Sequence, residues 1–208
     1  PIFIDFGRTY LQTPGNWNNV IPTTTVLPDL DDAAGNPTGV QLEITDEFFQ
    51  TGEPSQLGSE SPSGDAAIFP VSATDDYFFG HSGPFAGADD NPTGAFTLSG
   101  LDDNLTYDFT IFTSRQVVGD SRETRYTATG ANNLTRLIEP ANNDTEVLNL
   151  IGVVPAGGVI TVSVEAGPNN TNANGFYYLG AVRITEVPAP GTTALLAAGA
   201  LAVARRRR

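Results

Sequence analysis

Between Val159 and Glu165 every second residue is apolar, with Ile160, Val162 and Val164 in one phase and Thr161, Ser163 and Glu165 in the other. A period of two belongs to a pleated strand with one face buried; a helix cannot gather those side chains on one side. Tyr107, Phe109 and Ile111 alternate with Asp108 and Thr110 in the same way until Phe112 breaks the count. Short runs rich in Val, Ile, Thr, Phe and Tyr recur between clusters of Gly, Pro, Asn and Asp, which predicts an all-β fold. The architecture expected is a two-sheet antiparallel β-sandwich, jelly-roll-like. Its strands are placed at Ile2–Phe6, Val40–Thr45, Ala95–Leu98, Tyr107–Thr113, Thr124–Thr129, Glu146–Leu150, Val159–Glu165 and Phe176–Glu186. Turns are read at 99–105 and 155–158, where Asp, Asn and Gly supply the local backbone bonds and torsions. The segment 51–94 is rich in Pro, Gly and Ser, and short strands are expected within it at Phe69–Thr74 and Tyr77–Phe79.

The last 22 residues differ in kind. Val187-Pro188-Ala189-Pro190 is followed by an apolar Ala/Leu/Gly run from Gly191 to Ala204 and then by Arg205, Arg206, Arg207 and Arg208. Each proline fixes φ and removes a donor. The Ala/Leu run is helix-prone, which predicts a short C-terminal hydrophobic helix. Four arginines resist entry into hydrocarbon and stay on the cytoplasmic face. The run is shorter than the roughly 20 residues of a spanning helix, so a short core or amphipathic helix with a basic end is the competing reading. The order of parts resembles the PEP-CTERM signal of bacterial surface proteins, departing from it at Ala189, where that family usually has Glu. The resemblance implies export, transient membrane attachment through the C-terminal segment, recognition by a sorting peptidase of the exosortase type, and residence at the cell surface or in the extracellular matrix. Two regions follow: a β-sandwich domain at 1–186 and a sorting segment at 187–208, whose marked residues are Val187, Pro188, Pro190 and Arg205 to Arg208. Pro1 runs straight into a strand-like segment, which suggests an already removed secretory signal peptide.

The absence of Cys excludes disulfides, thiol nucleophiles and cysteine metal sites. All 24 acids precede the tail, against six arginines there (Arg8, Arg115, Arg122, Arg125, Arg136, Arg183), a net −18. That charge repels nucleic acid and acidic polymers, and favours hydrated surfaces or calcium.

Three blocks carry a second resemblance: Ile2-Phe3-Ile4-Asp5-Phe6-Gly7 with Gly15-Asn16-Trp17-Asn18-Asn19, then Tyr107 through Arg115, then Gly175 through Ile184. Together they are similar to β-sandwich accessory domains of secreted bacterial proteins, galactose-binding-like modules that often accompany carbohydrate-active enzymes. The resemblance implies a module associated with polysaccharide or another surface glycan. On the residues themselves, sugar binding uses an aromatic platform and planar hydrogen-bonding groups. Candidates are Trp17 between Asn16 and Asn18, Tyr177 with Asn174, and Arg115 and Arg122; the competing reading makes Trp17 a cap on the core and one of Tyr177 and Tyr178 a core residue.

Catalysis has weaker support. His81 is the lone histidine and lies in a turn-like stretch, and no Gly-x-Ser-x-Gly elbow accompanies any serine. Carboxylate pairs such as Asp31-Asp32 and Asp75-Asp76 are too common to single out a glycosidase dyad. Calcium is the better use of these acids, as hard cations take loop oxygens; a structural Ca2+ is weighed at Asp29, Asp31, Asp32 and Asn36, against ordinary acidic turns. The four Asn-x-Thr sequons are read as chance in an Asn/Thr-rich chain. The expectation is a non-catalytic exported protein with a carbohydrate-associated sandwich. The alternatives are a self-assembling homo-polymer forming a filament or layer and, less favoured, a carbohydrate hydrolase or esterase.

Overall fold

The computed structural model describes residues 1–49 and 57–188. Its strands are β1 (Ile2–Phe6), β2 (Asn18–Val20), β3 (Val26–Leu27), β4 (Gln41–Asp46), β5 (Phe78–His81), β6 (Thr93–Ser99), β7 (Leu105–Ile111), β8 (Thr124–Thr129), β9 (Asn133–Ile138), β10 (Leu148–Val153), β11 (Val159–Ala166), β12 (Phe176–Leu179) and β13 (Ala181–Pro188). One sheet has the order β10-β7-β13-β1-β2 and the other β3-β4-β6-β11-β8-β9, while β12 and β5 form a separate ribbon. Strand pairing is antiparallel except between β1 and β2, which run parallel through Ile4↔Asn18 and Phe6↔Val20, a departure from the all-antiparallel expectation. Among the described residues the helical content is two 3-10 turns, Gly64–Ile68 and Val71–Ala73. The C-terminal hydrophobic helix expected at Gly191–Ala204 lies outside the described residues.

The alternation in β11 does what its period predicts. Ile160, Val162 and Val164 are fully buried between the sheets, each contributing about 1.5–3 kcal/mol relative to an exposed position. On the opposite face, the Thr161 hydroxyl lies 2.8 Å from that of Thr97, which is 3.0 Å from that of Thr45. This hydroxyl ladder across β4, β6 and β11 gives the threonines of that face cross-strand partners, while Glu165 at the end of β11 pairs with Arg125 of β8 at 2.9 Å. In β7, Tyr107, Phe109 and Ile111 enter the same core. Phe112 breaks the period because it follows the strand and packs into a second, smaller cluster with Ala66, Phe69, Ala73 and Ala181.

Two corrections concern the long loop-rich segment. Phe69–Thr74 is not a strand: Val71–Ala73 is a 3-10 turn following Pro70, and Phe69 plugs the smaller cluster. β5 starts and ends slightly later than the expected Tyr77–Phe79. The expected strand Phe176–Glu186 is two strands, since the chain leaves the ribbon at Gly180 and joins β7 as β13. A side chain at Gly180 would meet the Phe112 carbonyl oxygen at 2.9 Å. β13 continues through Val187↔Thr106 and Pro188↔Leu105, so the first residues of the Pro-containing segment are sheet. β9, unassigned from the sequence, is an exposed edge strand with little apolar alternation.

Candidate ligand-binding site

The ribbon of β12 and β5 sorts its side chains by parity. Register pairs Phe176 with His81, Tyr177 with Gly80, Tyr178 with Phe79 and Leu179 with Phe78. Tyr177, Leu179 and Phe78 therefore enter the main core, and Phe176, Tyr178 and Phe79 turn to the other side. Gly80 is required, because a Cβ there would sit 2.0 Å from the Tyr177 hydroxyl oxygen. That hydroxyl reaches the carbonyl oxygen of Asn91 at 3.1 Å and its side-chain oxygen at 3.0 Å.

On the outward side, Tyr77, Phe79, Phe85, Phe176 and Tyr178 line a concave site of about 210 Å³ with Arg115 and Arg122. The rings meet edge to face: Phe85 to Phe176 at 4.7 Å and Tyr77 to Tyr178 at 4.8 Å, the arrangement aromatic quadrupoles favour. Arg122 is anchored on three sides. Its Nε donates to Asp120 Oδ1 at 2.7 Å, its Nη1 donates to the Tyr178 hydroxyl at 2.5 Å, and its guanidinium carbon lies 5.2 Å from the Phe176 ring centre. The Arg122 contact holds the Asp120 carboxyl below its ordinary pKa, with a further hydrogen bond from Asn172 Nδ2 at 2.6 Å. Burial pushes the Tyr178 hydroxyl above its ordinary pKa against the opposing pull of both Arg122 and Arg115, so it stays protonated at neutral pH. Tyr126 fixes the strand from behind by donating to the Tyr178 carbonyl at 2.5 Å.

Arg115, Arg122 and the β12 tyrosines thus converge, but Tyr178 is the one at the site while Tyr177 is core. Asn174 is a brace, donating through Nδ2 to the Pro84 carbonyl. Trp17 is half-buried over the smaller cluster, 5.0 Å from Phe3 and 6.3 Å from Phe69, and shares no wall with the aromatic site. Asn18 is buried and clamps Phe3 and Asp31, donating to both carbonyls at 2.9 Å and accepting the Asp31 N–H at 2.9 Å. Asn16 donates to the Ala33 carbonyl at 3.1 Å. Nothing in local sequence marks Phe79 or Phe85 as wall residues; Phe79 is set outward by its pairing with Tyr178, and Phe85 comes from the loop that follows β5.

The acidic loop has turn geometry. Asp32 Oδ1 accepts from the N–H groups of Ala34 at 2.8 Å and Asn36 at 2.9 Å, and Asp29 Oδ1 from those of Thr38 at 3.1 Å and Gly39 at 2.8 Å. Asp31 forms a bridge with Pro37. Among the described residues no group of three or more His, Cys, Asp or Glu side chains is placed to hold a metal ion. His81 is fully buried among Phe49, Phe85 and Phe176, with Nδ1 2.8 Å from the Gly83 carbonyl. Asp5 and Asp76 are also buried, at 1% and 2% exposure. Burial raises the Asp5 carboxyl to about 6, against the bonds from Thr13, and raises Asp76 to about 8, against the Arg8 N–H at 2.6 Å. Each keeps one oxygen without a partner.

At the C-terminal end, residues 186–208 match the family model described as the PEP-CTERM protein-sorting motif. The chain carries a PEP-CTERM sorting signal. The motif marks exported proteins sorted to the cell surface, and it implies membrane attachment before processing by a sorting peptidase. Its first residues, Glu186 to Pro188, are the end of β13; Pro190 and Arg205 to Arg208 lie outside the described residues. No curated protein matches the chain. Solved structures that it resembles include TmCBM61 in complex with β-1,4-galactotriose, at 11% identity and a TM-score of 0.33 over 53% of this chain and 70% of that one. Others are a ruminal GH26 endo-β-1,4-mannanase (12%, TM-score 0.35, 70% of this chain and 28% of that one) and the ANXUR1 extracellular domain from Arabidopsis thaliana (12%, TM-score 0.40, 74% and 51%).

Proposed function

We propose that this exported domain is a non-catalytic glycan-binding module and that it takes a sugar ring in the site between Phe79, Phe85, Phe176 and Tyr178. The observation that carries this reading is the aromatic wall edged by two guanidinium groups. Sugars present apolar C–H faces that pack on aromatic rings and hydroxyls that accept from planar donors, and small-ligand sites combine a mostly apolar wall with a few placed polar groups. Arg122 is pre-oriented by Asp120 and Tyr178, so little side-chain freedom is lost on binding.

Binding without turnover is supported by what surrounds the site. Among the described residues its lining holds no Asp or Glu. The carboxyls with the largest upward shifts, Asp5 and Asp76, are buried out of a ligand's reach, as is His81, whereas general acid–base catalysis needs a group within hydrogen-bonding distance of the reacting atoms. Calorimetric titration with a panel of plant and bacterial oligosaccharides tests the reading. Phe176→Ala should weaken the best ligand by at least about tenfold, and prolonged incubation should release no new reducing ends. Binding unaffected by Phe176→Ala, or steady release of reducing ends, would sink it.

A further inference from the structure

We propose that the sugar taken by this site carries a carboxylate, a uronic acid residue placed against Arg115. This inference rests on the glycan-binding reading and adds the charge of the ligand. Of the two guanidinium groups at the site, Arg122 is already committed to Asp120, Tyr178 and the face of Phe176. Arg115 is half-buried in the wall, and among the described residues it has no carboxylate partner within salt-bridge distance. Its Nη1 donates to the carbonyl of its own neighbour, Gln116.

The backbone beneath Arg115 is held from two directions, by its N–H to the Pro140 carbonyl at 2.7 Å and by the Asn142 N–H to its own carbonyl at 2.9 Å. The base of the side chain is therefore fixed. Both guanidinium groups line the site, and both oppose the upward push of burial on the Tyr178 hydroxyl. A planar fork of N–H donors in a partly desolvated wall matches a carboxylate in geometry as well as charge.

The net charge of the domain narrows the class further. An overall −18 opposes densely charged polyanions. Over distances beyond about 8 Å at physiological salt that repulsion is screened, while a carboxylate in contact with Arg115 feels the guanidinium directly. The ligand class is a glycan with isolated or terminal uronic acid units among neutral sugars, not a continuous polyuronate and not nucleic acid.

A matched pair separates charge from shape: a trisaccharide ending in glucuronic acid and its methyl ester, titrated calorimetrically into the full chain. The acid should bind at least about tenfold more tightly than the ester. Arg115→Gln should bring the acid-over-ester ratio down to within about twofold, whatever it does to the ester affinity itself, and Arg115→Lys should restore part of the ratio; melting curves establish that both variants fold. Equal affinity for acid and ester, or an Arg115→Gln variant that weakens both alike, overturns the uronate assignment and leaves glycan binding standing. If neither compound nor any member of the neutral panel binds, both readings fail.

Discussion

Arg122 lies across the face of Phe176, its guanidinium carbon 5.2 Å from the ring centre, and from there reaches both Asp120 and the Tyr178 hydroxyl. One side chain from the β7–β8 connection thereby joins a carboxylate, a ring and a phenol. Replacing Arg122 by Met should lower unfolding free energy by about 1–3 kcal/mol, because charge-assisted bonds at a largely buried group are lost. It should also weaken glycan binding. Urea denaturation and calorimetric titration on the same variant check the two effects.

Asp5 and Asp76 give the protein an unusual pH dependence. Their carboxyls, at about 6 and about 8 in the folded chain, lie above the ordinary unfolded value of about 3.9. The folded state therefore holds more protons than the unfolded one between those values, and stability falls as pH rises. The contribution should be complete below pH ~4 and lost by pH ~9, with a local slope of at most about 1.4 kcal/mol per pH unit for each proton. Urea unfolding at pH 4.5, 6.5 and 8.5 measures it, and Asp76→Asn should flatten the upper part of the curve. Stability rising across this range would contradict the burial of these two groups.

Trp17 tests the separation between packing and binding. It caps the smaller cluster beside Phe3 and Phe69, so Trp17→Ala should cost about 2–3 kcal/mol, below the range for a fully buried aromatic. Affinity at the Phe176–Tyr178 site should stay within about twofold of the parent. A tenfold loss of affinity in a folded variant would move the glycan platform to Trp17.

The end of β13 sets where the chain can be cut. Val187 and Pro188 still pair with Thr106 and Leu105, and the Thr106 hydroxyl donates to the Val187 carbonyl at 3.3 Å. A chain ending at Pro188 should melt within a few degrees of the full chain. One ending at Ile184 loses the pairings of Thr185 to Pro188 and should be weaker by about 2–4 kcal/mol, at roughly 0.5–1.5 kcal/mol per lost hydrogen bond. Differential scanning calorimetry on the two truncations distinguishes them.

A side chain at Gly80 collides with the Tyr177 hydroxyl. Gly80→Ala should destabilise by about 1–3 kcal/mol, as overpacked positions do. Because the Tyr177 ring carbon Cζ would also lie at 2.1 Å, Tyr177→Phe should recover little of the loss, whereas Tyr177→Leu, which removes the ring, should show favourable coupling in a double-mutant cycle.

Period-two alternation determined most of the sandwich from sequence alone, because a pleated strand puts alternate residues on opposite faces whatever its neighbours are. It identified the core faces of β7 and β11, while runs rich in Val, Ile, Thr, Phe and Tyr between turn residues placed β1 and β8 closely. The C-terminal sorting signal was legible for a similar reason: prolines, an apolar run and a block of arginines act through composition and order. β2, β3 and β9 escaped because they are short or exposed, so their side chains carry little pattern, and the parallel β1–β2 pairing is a long-range event with no local mark. Gly180 divides what reads as one strand, since a close approach to the Phe112 carbonyl decides the break. Sequence brought Arg115, Arg122 and the tyrosine pair forward as candidates, but only the fold decided that Tyr178 and not Tyr177 faces the site. The register against β5 fixes which parity looks outward, and that register depends on residues nearly a hundred positions away. Phe79, opposite Tyr178, joins the wall for the same reason, and Phe85 reaches it from the loop that follows β5. Trp17 and Asn18, the most conspicuous candidates in one dimension, are drawn into packing and clamping by neighbours that only the folded chain supplies.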